Sequence, residues 1–374
     1  MTQVLVTGAQ GFIGRHVMLA LQAREGVTVT GVDRGTPADA LDAAVCAADV
    51  VVHLAGVNRP EDPADFMTGN AGLTQRICAV AQRGGRAPLI VLSSSIQAAA
   101  DNPYGRSKLA AEEAVAAWAA GGAGSAVVLR LSNVFGKWCR PNYNSAVATF
   151  CHAVATGAPY TVRDPAAIVP LVHVDDVVQA VLASLDERLP VGTVERREAG
   201  PVTPVSLGAL TALIESFRAS RETLRLPDFS TRFVQALYAT YLSYLPGDGF
   251  AYDLKLFTDP RGTLAEVLKG DGFGQIFVSR TKPGITRGNH WHHTKVEKFL
   301  VVEGEAVIRF RKVDSAEVLS YAVRGDRFRV VDIPPGYTHS IENTGTTDMV
   351  CLFWASEIFD PARPDTRFED VLRA

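Results

Sequence analysis

The segment Thr7-Gly8-Ala9-Gln10-Gly11-Phe12-Ile13-Gly14 follows the apolar run Val4-Leu5-Val6 and opens a stretch of helix formers. A GxxGxxG turn between a strand and a helix constrains the fold more than any other feature. Glycines there let the backbone approach a pyrophosphate, and the helix N-terminus supplies N–H donors and a partial positive charge. Four more apolar or β-branched runs follow, at residues 27–30, 50–52, 89–92 and 127–129. Continuous runs of this kind suit strands buried on both faces of a parallel sheet. Ala-rich stretches such as 109–120 lie between them and have crossover length. Strand–helix alternation predicts a doubly wound α/β unit.

The chain has 374 residues, too many for one small core. A prior of roughly 150 residues per domain leads to two or three domains. Leu245-Pro246-Gly247-Asp248-Gly249 is a turn-rich break, and the pattern changes after it. Short β-rich runs appear at 274–279, 298–302, 306–310, 328–333 and 349–354, separated by Gly, Pro and Asp. They predict a compact all-β barrel or jelly roll. The expected organisation is an α/β unit over 1–245, with its substrate-binding part in about 133–240, and a metal-binding barrel over 250–374. A net charge of −3 gives no basis for a nucleic-acid partner. No apolar run approaches the roughly 20 residues that span a bilayer, and the N-terminus does not read as a secretory signal. Five scattered cysteines without a CxxC pair imply reduced thiols and a cytoplasmic enzyme.

The chemistry of the first unit centres on three places. Gly31-Val32-Asp33-Arg34 closes the second strand. An acid there accepts from the adenosine ribose, whereas a neighbouring arginine suits a 2′-phosphate, so NAD and NADP both stay open. Tyr104 and Lys108 stand four apart, on one face of a helix. A nearby ammonium is expected to favour the phenolate and lower the tyrosine pKa, and Lys108 can also hold ribose hydroxyls. Ser93-Ser94-Ser95 closes the preceding strand and offers a hydroxyl to a substrate carbonyl.

In the second unit, the stretch 284–297 contains His290, His292, His293 and Glu297, and 334–343 adds His339. His290 and His292 alternate, so on a strand both rings leave by one face. Three neutral imidazoles and one carboxylate can ligate a divalent transition metal with positions left open. Lys295, Lys298, Arg309 and Arg311 are a candidate anion site for a diphosphate.

Residues 1 to about 240 resemble the extended short-chain dehydrogenase/reductases, particularly those acting on nucleotide sugars. The resemblance rests on 7–14, His53-Leu54-Ala55-Gly56, 93–95, Tyr104/Lys108, 130–136 and 172–177. It implies a Rossmann-type sheet with Gly8, Gly11, Phe12, Ile13, Gly14, Asp33, Arg34, Leu54, Ala55, Gly56 and Lys108 at the cofactor. His53 to Gly56 would then line it at the end of the fourth strand. Tyr104 would be the proton donor, Lys108 its electrostatic partner and Ser95, rather than Ser94, the carbonyl polariser. Asn133 would contact the nucleotide sugar, and Asn144 lies where such enzymes contact the diphosphate. Residues 172–177 read as an acidic N-cap starting a helix. Only nine positions separate Ser95 from Tyr104, a shorter loop than the family usually has, which implies a more open site.

Residues 284–304 and 334–343 resemble the two motifs of the cupins, although the leading glycine of the second is displaced to Gly325. The resemblance implies a jelly-roll barrel with His290, His292, Glu297 and His339 as ligands. His293 replaces His292 if the register slips by one. Zinc is the expected ion, with Fe(II), Mn(II) and Ni(II) also held by relatives.

The whole chain resembles the bifunctional capsular-polysaccharide and O-antigen enzymes of the UDP-N-acetyl-L-fucosamine route. Leu54 to Pro60, Asp101 to Gly105, Phe135 to Ser145, Thr240 to Pro246 and Val331 to Asn343 carry that likeness. It implies C3 epimerisation of a UDP-2-acetamido-4-keto-6-deoxy-hexose in the barrel, then C4 reduction with NADPH (NADH the alternative) to UDP-2-acetamido-2,6-dideoxy-L-talose. A homodimer or higher homo-oligomer is expected. His293, Lys295 and Tyr337 are all ionisable near the metal motif, and nothing in the sequence chooses an epimerase base among them. Two other readings stay open: a plain reductase whose barrel only binds metal and dimerises, and a sensor of nicotinamide state and sugar.

Overall fold

The computed structural model describes residues 1–187 and 189–373. The chain divides into two compact units, one of Met1–Ile214 with Gln235–Leu245, the other of Glu215–Val234 with 246–373. A single cut near 245 misses the excursion of 215–234 into the second unit. Main-chain bonds tie that segment there: Lys269 N–H to the Leu224 carbonyl (2.7 Å) and Leu226 N–H to the Lys269 carbonyl (2.8 Å).

The first unit carries strands β1 (Thr2–Thr7), β2 (Val27–Val32), β3 (Val50–His53), β4 (Leu89–Ser95), β5 (Ser125–Leu131), β6 (Asn133–Phe135), β7 (Ile168–His173), β8 (Val194–Arg197) and β9 (Thr203–Ser206). Its helices are α1 (Phe12–Gln22), α2 (Ala38–Ala47), α3 (Leu73–Gly84), α4 (Pro103–Ala120), α5 (Ala146–Thr156) and α6 (Val174–Asp186); α7 (Leu207–Thr223) and α8 (Arg232–Leu242) follow. The main sheet is parallel throughout, in the order β2-β1-β3-β4-β5-β8.

Alternate residues of each strand feed opposite faces. Val4, Val6, Val50, Val52, Val91 and Val127 pack with Val17 and Leu21 of α1 and Val177 and Val181 of α6. Leu5, Val51, Ile90, Leu92 and Val128 pack with Val45 of α2, Ile77 of α3 and Val115 of α4. Burial on both faces is why these strands read as unbroken apolar runs. Strand order reverses between β1 and β3, and the crevice at their carboxyl ends is the usual ligand position in such sheets. His53 therefore ends the third strand, beside β1, and not the fourth. The helix expected after residue 172 is α6, but its N-cap is His173, with Asp175 and Asp176 in the first turn.

The second unit holds β10 (Leu256–Asp259), β11 (Gly262–Gly270), β12 (Gly274–Thr281), β13 (Thr286–Trp291), β14 (Glu297–Glu303), β15 (Glu305–Lys312), β16 (Val318–Arg324), β17 (Val330–Ile333), β18 (Tyr337–Asn343), β19 (Met349–Ala355) and β20 (Arg367–Phe368). They form two antiparallel sheets, β10-β11-β12-β19-β14-β17 and β16-β15-β18-β13-β20. Phe299, Val301, Phe353 and Cys351 of the first sheet share one core with Ile308, Phe310 and Ile341 of the second. The inner faces are thus packed on each other.

One buried charge ties α4 to the main sheet. Glu112 is fully buried and accepts from Arg130 Nε and Nη2 (2.9 and 2.8 Å), Arg196 Nε (3.3 Å) and the Ser94 hydroxyl (2.5 Å). Burial opposes its ionisation, but the Arg130 and Ser94 bonds outweigh this and hold the carboxyl below its ordinary range. Glu112→Ala is expected to cost about 3 kcal/mol in urea unfolding at neutral pH, as for a broken buried pair. Because the folded-state pKa is depressed, this stabilisation is present above the ordinary carboxylate value and fades as pH falls through the lowered one. The difference between wild type and variant should shrink in acid.

Candidate active site and metal centre

The glycine turn is as tight as its spacing requires. Gly8 has φ +69°, and a Cβ there would lie 2.9 Å from Ala55 N; at Gly14 it would lie 2.0 Å from the Gly8 carbonyl oxygen. Larger residues would separate α1 from the turn and the turn from the β3 loop. Gly11 caps α1 without a side chain, and Phe12 and Ile13 open the first turn, leaving N–H groups for an anion. Asp33 lies with both carboxylate oxygens near Gln10 N–H (3.1 and 3.2 Å), so it braces the turn, while Arg34 is exposed beside it.

Behind this turn lies a chain of hydrogen bonds. Ala55 N–H donates to Thr7 Oγ1 (3.2 Å), which contacts His53 Nδ1 (2.7 Å); His53 Nε2 contacts Thr74 Oγ1 (3.0 Å), and that hydroxyl donates to the Asn70 carbonyl (2.8 Å). Thr74 spends its proton on Asn70, so His53 donates from Nε2 and accepts at Nδ1. Burial, with the Lys108 charge adding to it, pushes His53 down to about 3 and keeps it neutral. Asn70 was not foreseen from sequence. Its Nδ2 donates to Val57 O (3.1 Å) and Ser107 Oγ (2.9 Å), and its Oδ1 accepts from Val57 N–H (2.8 Å), joining the Gly56 loop to α4. It sits in a π-helical segment, Met67–Gly72, where no helical or strand period marks it.

Tyr104 and Lys108 both lie on α4, whose start is set by Pro103 and by Asn102 accepting from Gly105 N–H (2.8 Å). The Ser95 hydroxyl is the side-chain group that acts on the Tyr104 phenol, lowering its pKa against burial. Ser94 instead donates to Glu112, so the two serines part company by strand alternation. Lys108 is buried and its Nζ donates to the Ser93 carbonyl (2.7 Å). Burial lowers it to about 8, with Glu112 opposing. The expectation that Lys108 depresses Tyr104 is not met here. Burial raises the phenol, partly offset by the Ser95 hydroxyl, while the ammonium is turned to a carbonyl. Glu112 was also missed, although it lies four residues beyond Lys108 and the same helical spacing would have found it.

Asn133 and Asn144 are both exposed. Asn133 Nδ2 donates to the Pro170 carbonyl (3.2 Å), and Asn144 lies in the turn before α5. Neither is hydrogen-bonded to Tyr104, Lys108 or Ser95 among the described residues. Next to Asn144, Tyr143 is flanked by the guanidinium groups of Arg140 and Arg59, 5.4 and 6.0 Å from its ring centre.

In the barrel, His290, His292, Glu297 and His339 offer ligand atoms that all lie within 4.8 Å of one another. Their approach depends on backbone proximity. Gly288 has φ +98°, and a Cβ would stand 2.7 Å from the His339 carbonyl oxygen. A bulge follows at Asn289, φ +56°, and brings His290 opposite His339. His292 Nε2 and His339 Nε2 reach Glu297 Oε1 and Oε2, each at 3.4 Å. Both Nδ1 atoms face backbone carbonyls, His292 that of Asp365 (2.5 Å) and His339 that of Tyr337 (3.3 Å). A carbonyl only accepts, so each Nδ1 carries the proton. Each Nε2 is then a bare, buried lone pair without a hydrogen-bond donor. Burial, reinforced by His339 and His292, lowers His290 to about 4, which keeps it neutral. Burial opposes the charge on Glu297, and with both Nε2 atoms bare it is the Lys295 ammonium, 3.1 Å from Oε1, that holds its carboxyl below the usual range. This donor set fits a divalent transition metal.

His293 is exposed and outside the cluster, so the slipped register does not occur. The anion site expected from four cations is absent, because each is already engaged. Lys295 pairs with Glu297, Lys298 with Asp332, Arg309 with Glu342, and the buried Arg311 with Glu369.

Two family models match the chain. Residues 4–194 match the NAD dependent epimerase/dehydratase family, and residues 257–367 match the polysaccharide biosynthesis C-terminal domain. The chain belongs to the NAD dependent epimerase/dehydratase family and carries a polysaccharide biosynthesis domain after it. Among relatives, it is 42% identical over 364 residues to the UDP-2-acetamido-2,6-beta-L-arabino-hexul-4-ose reductase of Pseudomonas aeruginosa, covering 97% of each chain. The crystal structure of capsular polysaccharide assembling protein CapF from Staphylococcus aureus superposes with TM-score 0.91 at 44% identity, over 98% of this chain and 100% of that one. MoeE5, solved with UDP-glucose and NAD, matches with TM-score 0.51 at 27% identity, over 57% of this chain and 81% of that one. No helix among the described residues is long and apolar enough to cross a membrane.

The purified protein is expected to hold one zinc ion per chain, and a His290→Ala/His339→Ala variant none, by elemental analysis after dialysis. Retention of a full equivalent in the double variant would remove the site from this cluster.

Proposed function

We propose that this chain is a bifunctional nucleotide-sugar enzyme of capsule or O-antigen synthesis, working in the cytoplasm. The barrel epimerises C3 of a UDP-2-acetamido-4-keto-6-deoxy-hexose, and the α/β unit then reduces C4 to give UDP-2-acetamido-2,6-dideoxy-L-talose. The observation that carries the reading is full-length likeness to a UDP-hexulose reductase, together with two separate constellations, Tyr104/Lys108/Ser95 and His290/His292/Glu297/His339.

The order of steps follows from the chemistry. A C–H beside a ketone is acidic enough to remove, and reduction of C4 destroys that activation, so epimerisation comes first. For reduction, a nicotinamide bound at the glycine turn would supply the hydride. Tyr104 gives its phenolic proton to the forming C4 hydroxyl, and Ser95 holds the carbonyl oxygen against it. Lys108, protonated, would hold the ribose hydroxyls of the cofactor. The raised phenol is suited to donating rather than losing its proton beforehand. Arg34, exposed while Asp33 braces the turn, supports NADPH as reductant. In the barrel, His290, His292, Glu297 and His339 would hold a divalent ion, zinc by preference, which would supply Lewis acidity for enolate formation. Asp365 and Tyr337 carbonyls keep the two Nε2 atoms directed inward.

Tyr104→Phe is expected to lower NADPH-dependent turnover by about 10²–10⁴-fold, as for loss of a positioned acid, with NADPH affinity little changed. Since Lys108 titrates near 8 in the free enzyme and must be charged, kcat/KM should fall as pH rises through that value. A flat profile to pH 10 would remove Lys108 from that role.

The Pseudomonas relative is named for reduction alone, which favours a second reading, a plain reductase with a structural metal barrel. Incubation with the 4-keto sugar in D2O without nicotinamide separates the two. Deuterium entering beside the ketone, lost in His290→Ala and kept in Tyr104→Phe, supports the bifunctional enzyme. No exchange above the uncatalysed rate, with NADPH oxidation intact, supports the plain reductase.

A further inference from the structure

Three of the four metal-binding candidates are braced from outside by one short stretch of chain, residues 365–371. We propose that this segment is the positioning frame of the metal centre, with Asp365 as its principal positioning residue. The inference rests on His290, His292, Glu297 and His339 being metal ligands.

Asp365 acts on the His292 loop twice. Its carbonyl accepts from His292 Nδ1 (2.5 Å), which fixes the tautomer with Nε2 bare. Its carboxylate accepts from the N–H groups of His293 (2.9 Å), Thr294 (2.8 Å) and Lys295 (2.9 Å) and from the Thr294 hydroxyl (3.1 Å). These three consecutive residues form the turn that joins His292 to Glu297, so one carboxylate closes the loop between two ligands.

The strand of His290 is held next. β20 pairs with β13, setting Phe368 opposite His290 and Arg367 opposite Trp291. Glu369 N–H donates to the Asn289 carbonyl (2.9 Å), at the bulge that turns His290 inward. Beside His339, the Thr338 hydroxyl donates to the Glu369 carbonyl.

The segment has its own anchor. Arg311 is fully buried on β15, opposite Thr338. Its Nε donates to the Val371 carbonyl (3.0 Å), and its Nη2 to the Asp370 carbonyl (2.8 Å) and the Glu369 carboxylate (2.7 Å). A buried guanidinium needs such acceptors, and a chain segment that supplies three of them cannot leave cheaply. Outer partners of this kind orient ligands and raise their basicity, and losing one typically costs about 10–100-fold in metal affinity.

The test is zinc affinity of the full-length protein, by competition with a chromophoric chelator, alongside melting of the metal-free form. Asp365→Ala is expected to weaken zinc binding by about 10–100-fold, Asp365→Asn by less, and Arg311→Lys in the same direction. Lys298→Gln, which breaks only a surface pair with Asp332, should bind as wild type does. Wild-type affinity in Asp365→Ala overturns the proposal and leaves the segment as a plain cover. If Asp365→Ala fails to fold, unchanged affinity in both Asp365→Asn and Arg311→Lys overturns it equally. Absence of zinc binding by the wild type overturns the ligand reading itself, a different result from equal binding by all proteins.

Discussion

A carboxylate in a place without water has to be surrounded by donors, and the α/β unit is organised around one that is. Glu112 holds Ser94, Arg130 and Arg196 at once, and so locks α4 against the ends of β4 and β5. Tyr104 and Lys108 lie on the same helix, two turns and one turn earlier. Their positions relative to Ser95 follow from how α4 is clamped. By taking the Ser94 hydroxyl, Glu112 also leaves Ser95 as the serine that meets the phenol.

The barrel solves the same problem differently. Glu297 is buried among His292, His339 and Lys295. Two imidazole nitrogens facing it lack donors because their other nitrogens are committed to backbone carbonyls. Left without an ion, such a cluster concentrates lone pairs in a low-dielectric place, which is costly. A divalent cation would satisfy all four groups together. Each unit therefore has a charged centre held by main-chain and side-chain partners well outside the reacting groups.

Much of this was legible in the sequence because it depends on local spacing. The glycine turn, the unbroken strands of the parallel sheet, the four-residue step from Tyr104 to Lys108 and the two histidine motifs all express short-range geometry. What misled was charge read without partners. Lys295, Lys298, Arg309 and Arg311 looked like an anion site, yet each is neutralised by an acid 2 to 58 residues away in the chain. Lys108 was expected to act on Tyr104 and is turned instead to the Ser93 carbonyl. The segment 215–234 looked continuous with the first unit, and its hydrogen bonds to Lys269 place it in the second.

The sequence by itself determined the class of each unit, the glycine turn and the two histidine motifs of the barrel. These follow from periodicity and residue chemistry within a few positions. Only the tertiary structure decided which serine faces Tyr104, which histidine joins the cluster, that Asp33 braces the glycine turn, and that residues 365–371 frame the barrel centre. Those outcomes depend on a strand's alternation, a bulge at Asn289 and pairings across 70 or more residues, as from His293 to Asp365. Local spacing carries no record of contacts made at that distance.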